Sequence, residues 1–150
     1  MSKSKANETF ADPARGPLLS ARGIVALVLI VAGIAWTAYY YIAVRAEPLE
    51  PAEKLLGVPG DWNYLVGFGA LLLGLAVSAH PSTPLGRGRG VVVGMLGCFL
   101  IGLIWICTFY VFADSADTGG IPIMNDLGQK NLFVGIGFMA IGFTFATRWE

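Results

Sequence analysis

Four long apolar runs punctuate this chain. They are Ile24–Val44, Trp62–Ala79, Val91–Ala113 and Asn131–Thr147, and none contains Asp, Glu, Lys or Arg. A helix needs roughly 20 apolar residues to cross a bilayer, so the second and fourth runs are near the short end, with amphipathic ends that extend them. Lipid offers the backbone no hydrogen-bond partners, so each run is expected to be helical. The pattern predicts an all-α integral membrane protein with four transmembrane helices. Residues 1–22 are polar and interrupted by Pro13, Gly16 and Pro17. They read as a flexible cytoplasmic tail, too long and too broken for the charged start of a signal peptide.

The runs fall into two similar halves. At a shift of 69 residues Gly33 falls on Gly102, Trp36 on Trp105 and Tyr41 on Tyr110. At a shift of 68, Gly60, Asn63, Val66, Gly67, Gly69 and Gly74 fall on Gly128, Asn131, Val134, Gly135, Gly137 and Gly142. The change of one residue fits a deletion in an outer loop. Each half is then a two-helix hairpin, and an even number of crossings keeps both in one orientation. The expected division is a tail at 1–22, a first hairpin at 23–80, a cytoplasmic linker at 81–90 and a second hairpin at 91–150.

Composition agrees with the pattern. Hydrophobic residues make up 55% of the chain, charged residues 13%, and the mean hydropathy is +0.66. Soluble domains carry about 25% charged residues. A net charge of zero argues against a nucleic-acid binder and conceals a polarity. The tail, the middle loop and the C-terminal end hold seven basic and three acidic residues; the other two loops hold three basic and seven acidic. The positive side is expected in the cytoplasm, with both termini. Trp36, Tyr39, Tyr40, Tyr41, Trp62, Tyr64, Trp105, Phe109, Tyr110, Phe112 and Trp149 fall near the run ends, where an interfacial aromatic belt is expected.

Reactive chemistry is hard to find. The runs hold no charge of the kind that marks an ion or proton path. His80 reads as a helix-end residue, and Thr37, Thr108 and Thr144 as hydroxyls bonded to their own helices. Cys98 and Cys107 read as small packing residues on opposite sides of one helix. No nucleophile–base pair, metal cluster or phosphate-cradling loop is present, so neither catalysis nor a cofactor is expected. Gly86 to Gly90, with Arg87 and Arg89, reads as a basic, flexible turn able to meet anionic headgroups. Gly90, Gly94, Cys98 and Gly102 recur every four residues as a small-residue ridge, with shorter ridges at Ala70 and Gly74 and at Gly142 and Ala146. Such ridges let helices approach closely, either within the bundle or against a partner's helix.

Several segments carry a family resemblance. Ser2-Lys3-Ser4-Lys5, Trp62-Asn63-Tyr64, Ile101 to Trp105, and Thr147-Arg148-Trp149 resemble CrgA, the small actinobacterial cell-division and septation family. The usual member is one two-helix hairpin, so this chain resembles two units in tandem. Trp-Asn-Tyr stands in the first half only, after Gly60-Asp61 in place of Gly-Pro. The Arg-Trp ending stands in the second half only. The resemblance implies a non-enzymatic membrane adaptor at the division septum of the cell membrane. Its implied partners are divisome proteins, such as the tubulin-like FtsZ and the septal penicillin-binding transpeptidase. The rival expectation is a small transporter or channel built from a duplicated hairpin.

Overall fold

The structure, a computed structural model, describes residues 20–44, 60–112 and 121–148. Most of the expected tail, nearly all of the first outer loop, the opening part of the second, and Trp149 lie outside the described residues. Helix α1 spans Ala21–Tyr39 and widens into a π-helical segment at Tyr40–Val44. Helix α2 spans Gly60–Ser78 and α3 spans Arg89–Phe112. A short α4 at Pro122–Leu127 and a 3-10 turn at Gly128–Lys130 lead into α5 at Asn131–Ala146. No strand occurs among the described residues.

Local chemistry sets the boundaries that hydropathy misses. Ser20 is extended, and its Oγ accepts the Gly23 N–H at 3.1 Å, satisfying a donor the helix start leaves open. The helix therefore begins at Ala21, and Arg22 belongs to α1 rather than to the tail. Helix α4 sits in a stretch that hydropathy alone reads as loop. Its proline lies in the first turn, where its set φ suits a helix and its missing N–H costs nothing. Gly128, with φ +49°, caps α4 and opens the turn that follows.

Two segments are long and apolar enough to cross a membrane, Ala21–Val44 and Arg89–Phe112, each of 24 residues. At 1.5 Å per residue each reaches about 36 Å, more than the hydrocarbon core. Helix α2 has 19 residues and α5 has 16. They reach about 28 Å and 24 Å, so length alone marks two crossings where hydropathy suggests four.

Helix α1 packs against α2, and α3 against α5. Ile30 lies beside Gly74 while Tyr40 lies beside Tyr64, so α1 and α2 run antiparallel. Gly94 meets Phe145 while Gly102 meets Gly135, so α3 and α5 do too. Between the hairpins, Leu72 reaches Gly137, and Tyr64, Val134 and Phe138 share one core cluster. Ala79 and Phe145 share another, so α2 and α5 run parallel and the hairpins point the same way. Leu27, Val28, Val31 and Ile34 of α1 face outward, as do Val93, Leu96, Leu100 and Ile104 of α3. So much exposed apolar surface on two long helices suits lipid contact.

Candidate functional site: the helix seams and the two polar ends

The seams rest on glycine. A methyl group added to Gly33 would sit 2.5 Å from the Gly67 carbonyl oxygen and 2.6 Å from the Leu71 nitrogen. One added to Gly102 would sit 2.6 Å from the Gly135 carbonyl oxygen and 3.0 Å from Met139 Cγ. The two contacts are the same contact under the 69- and 68-residue shifts. The next one down repeats as well: Gly74 lies against Ala26 and Ile30, and Gly142 against Met95 and Phe99. This close backbone approach, with its dispersion contacts, holds each hairpin. Thr37 adds to the first seam: it lies against Gly67, and its Oγ1 donates back to the Gly33 carbonyl at 2.9 Å. Thr144 likewise bonds its own helix, at Ile141.

The ridge on α3 divides by neighbour. Gly94 faces the Phe145 ring, Gly102 faces α5, and Cys98 is buried in the cluster of Ala79, Val91 and Phe145. Gly90 faces the polypeptide turn instead, against Pro84 and Leu85, because α3 extends beyond the end of its partner helix there. Cys107 is exposed, so it is not a packing residue of this bundle. Ala70 and Ala146 are half-buried. The seam between the hairpins rests on Gly137, which takes Leu72 Cδ1. Its counterpart Gly69 faces open space.

At one end the Trp62-Asn63-Tyr64 segment joins the halves. Tyr64 is fully buried and packs edge-on against Tyr40, with ring centroids 4.9 Å apart. Its hydroxyl donates to Asp126 Oδ2 at 2.9 Å, tying α2 to α4. Lys130 Nζ lies 5.2 Å from the centre of the Trp62 ring, a cation–π contact. Asn63 and its counterpart Asn131 are both fully buried. Asn131 Nδ2 donates to the carbonyls of Met124 and Gly128, at 2.6 and 2.8 Å, and so closes the bend into α5. Trp105 packs edge-on against Phe68 of α2 at 5.1 Å. The aromatic belt is therefore partly an aromatic core. Tyr40 and Tyr64 turn inward because the second hairpin supplies polar groups and apolar cover, while Tyr39, Trp62, Tyr110 and Phe112 remain exposed.

At the other end the basic turn is built rather than loose. Thr83 is buried and its hydroxyl bonds the carbonyls of Ser78 and His80, while accepting the Gly86 N–H at 3.2 Å. Gly86 packs directly on the His80 carbonyl, and Gly88 turns the chain with φ +54°. The Arg22 guanidinium lies against the His80 ring, its Nη1 3.1 Å from Nδ1. Partial loss of water, then Arg22 and Arg148, hold the His80 pKa below its ordinary 6.5. Arg148 is exposed at the end of α5. Among the described residues no three His, Cys, Asp or Glu side chains gather as a metal site would need.

Asp126, Tyr40 and Ser20 escaped the sequence reading of sites. Ser20 carried a signal, a hydroxyl residue just before an apolar run. Asn131 carried one through its alignment with Asn63. Asp126 carried none, since its partner lies 62 residues away.

Comparison with known proteins places these features. The family described as "Cell division protein CrgA" matches residues 1–80 and 83–150. A "Cell division protein CrgA" of Streptomyces avermitilis is 44% identical over 66 residues, covering 44% of this chain and 71% of that protein. Another of that description, from Corynebacterium aurimucosum, is 32% identical over 65 residues, covering 43% of this chain and 66% of that protein. No solved structure matches the chain significantly.

Proposed function

The chain belongs to the CrgA family of cell division proteins, and from that premise we propose that it is a non-enzymatic membrane adaptor of the division machinery. It has a role in cell division, and its two long apolar helices suit a membrane protein at the division site. In this reading it crosses the membrane four times, as two tandem hairpins of like orientation, with both termini in the cytoplasm. It regulates septum formation by binding divisome proteins, among which FtsZ and the septal penicillin-binding transpeptidase are the proposed partners.

One observation carries the reading: the family match covers both halves, and both halves lock their helices at equivalent glycines. A scaffold locked in this way acts by presenting surfaces. The outward faces of α1 and α3 would meet partner helices, and residues 1–22 would meet cytoplasmic partners. A transporter or channel is not favoured by the family assignment.

The first test is a fluorescent fusion at the N-terminus, in dividing cells of the source bacterium. Enrichment at the septum, with co-purification of a divisome protein, is the expected result. A functional fusion spread evenly over the membrane would overturn the reading. Crossing number is tested separately, by single-cysteine labelling from outside the cell on a Cys98→Ala, Cys107→Ser background. Position 84 should resist a membrane-impermeant thiol reagent and position 129 should accept it, both being exposed in the structure; labelling at position 84 would reject the proposed orientation.

A further inference from the structure

We propose that the end of the bundle holding the basic turn is a binding site for the phosphate group of an anionic phospholipid. This rests on the membrane-spanning reading above. A cavity of about 540 Å³ opens there, lined by Arg87 and Arg89 from the turn, Arg148 from the end of α5, and the apolar surfaces of Pro81, Val91 and Val92. Residues distant in sequence converge on it, from both sides of the second hairpin. Arginine cannot shed its charge in a protein, and its planar fork matches phosphate oxygens in pairs. Arg22 lies nearby through its contact with His80, adding a further positive charge to the same end.

The described acidic residues lie elsewhere: Asp61 is the second residue of α2 and Asp126 bonds Tyr64, both at the opposite end of the bundle. An anion seated among the guanidinium groups is attracted by all of them at once. The turn that carries Arg87 and Arg89 is already shaped by Thr83 and Gly86, so little ordering is needed on binding. The mixed lining also suits a lipid: guanidinium groups for the phosphate, and proline and valine surfaces for the glycerol and the first acyl carbons. A site at this end faces the leaflet where anionic lipids draw basic juxtamembrane residues.

The full chain in vesicles of phosphatidylcholine with a minor share of spin-labelled lipid gives the test. Spin-labelled phosphatidylglycerol should be immobilised in preference to spin-labelled phosphatidylcholine. The Arg87→Gln, Arg89→Gln, Arg148→Gln variant should lose at least threefold of that preference, with Arg148→Gln alone losing part of it at an exposed position where folding is safe. Lys130→Gln, at the other end, should keep it. Equal immobilisation of both lipids, or a preference unchanged in the triple variant, overturns the proposal. Displacement of the bound lipid by millimolar inorganic phosphate would assign the site to a soluble anion and overturn the lipid as occupant. These vesicles hold no division protein, so failure here leaves septal localisation untouched, and loss of septal localisation leaves this result standing.

Discussion

At the scale of single residues, two contacts set apart what the apolar pattern hides. His80 is the chain's one histidine, so its proton NMR titration reads a single site. Its pKa should lie below 6.5, and Arg22→Gln should raise it toward that value. The unfolded chain binds this proton more readily than the folded one, so stability rises with pH through this group. The Arg22–His80 arrangement is complete above pH 6.5 and is lost as pH falls from there through the folded pKa. A pKa above 6.5 would refute the arrangement. Tyr64 makes the second contact. Tyr64→Phe removes the bond to Asp126 and should cost about 1–2 kcal/mol of stability, read by reversible unfolding in detergent. No change would mean that the hydroxyl contributes nothing to joining α2 and α4.

At the scale of elements, the glycines separate into close contacts and bystanders. Gly33→Ala and Gly102→Ala each force a methyl within 2.6 Å of a backbone carbonyl oxygen of the facing helix, which cannot swing aside as a side chain can. Each should cost about 1–3 kcal/mol and loosen its own hairpin. Gly97 has nothing within 4 Å, so Gly97→Ala should stay within about 0.5 kcal/mol of the parent. Equal effects at all three positions would show that the loss reflects glycine itself rather than the seam. Spacing alone could not make this division. A four-residue repeat names one face of α3, but that face meets Pro84 and Leu85 at Gly90, a ring at Gly94 and a helix backbone at Gly102.

For the whole molecule, the parallel seam of α2 and α5 decides how two hairpins become one bundle. Gly137→Leu places a large side chain where Leu72 now sits, yet leaves the Gly33–Gly67 and Gly102–Gly135 contacts intact. On a Cys98→Ala, Cys107→Ser background, a short bifunctional thiol reagent should join cysteines placed at positions 62 and 130. The Gly137→Leu change should reduce that yield severalfold without unfolding either hairpin. An unchanged yield would mean that the Tyr64–Asp126 end holds the halves together without the Leu72 contact.

Much of this architecture follows from the order of residues alone. Apolar length dictates helices, because a chain in lipid has no other way to satisfy its backbone. The recurrence of Gly33 at Gly102 and of Gly67 at Gly135 coincides with helix contacts, whereas that of Gly69 at Gly137 does not, so the repeat names candidates among which the seams select. These are local demands, and local sequence states them. The start of α1 at Ala21 rests on an equally local signal, the Ser20 hydroxyl, which the apolar pattern by itself passes over. What only the tertiary structure decided is which distant groups meet: Tyr64 with Asp126, Leu72 with Gly137, and Arg148 with the turn that carries Arg87 and Arg89. Each pairing depends on the lateral placement of one hairpin against the other. That placement depends on side-chain shapes summed over the whole seam, and no single segment encodes such a sum.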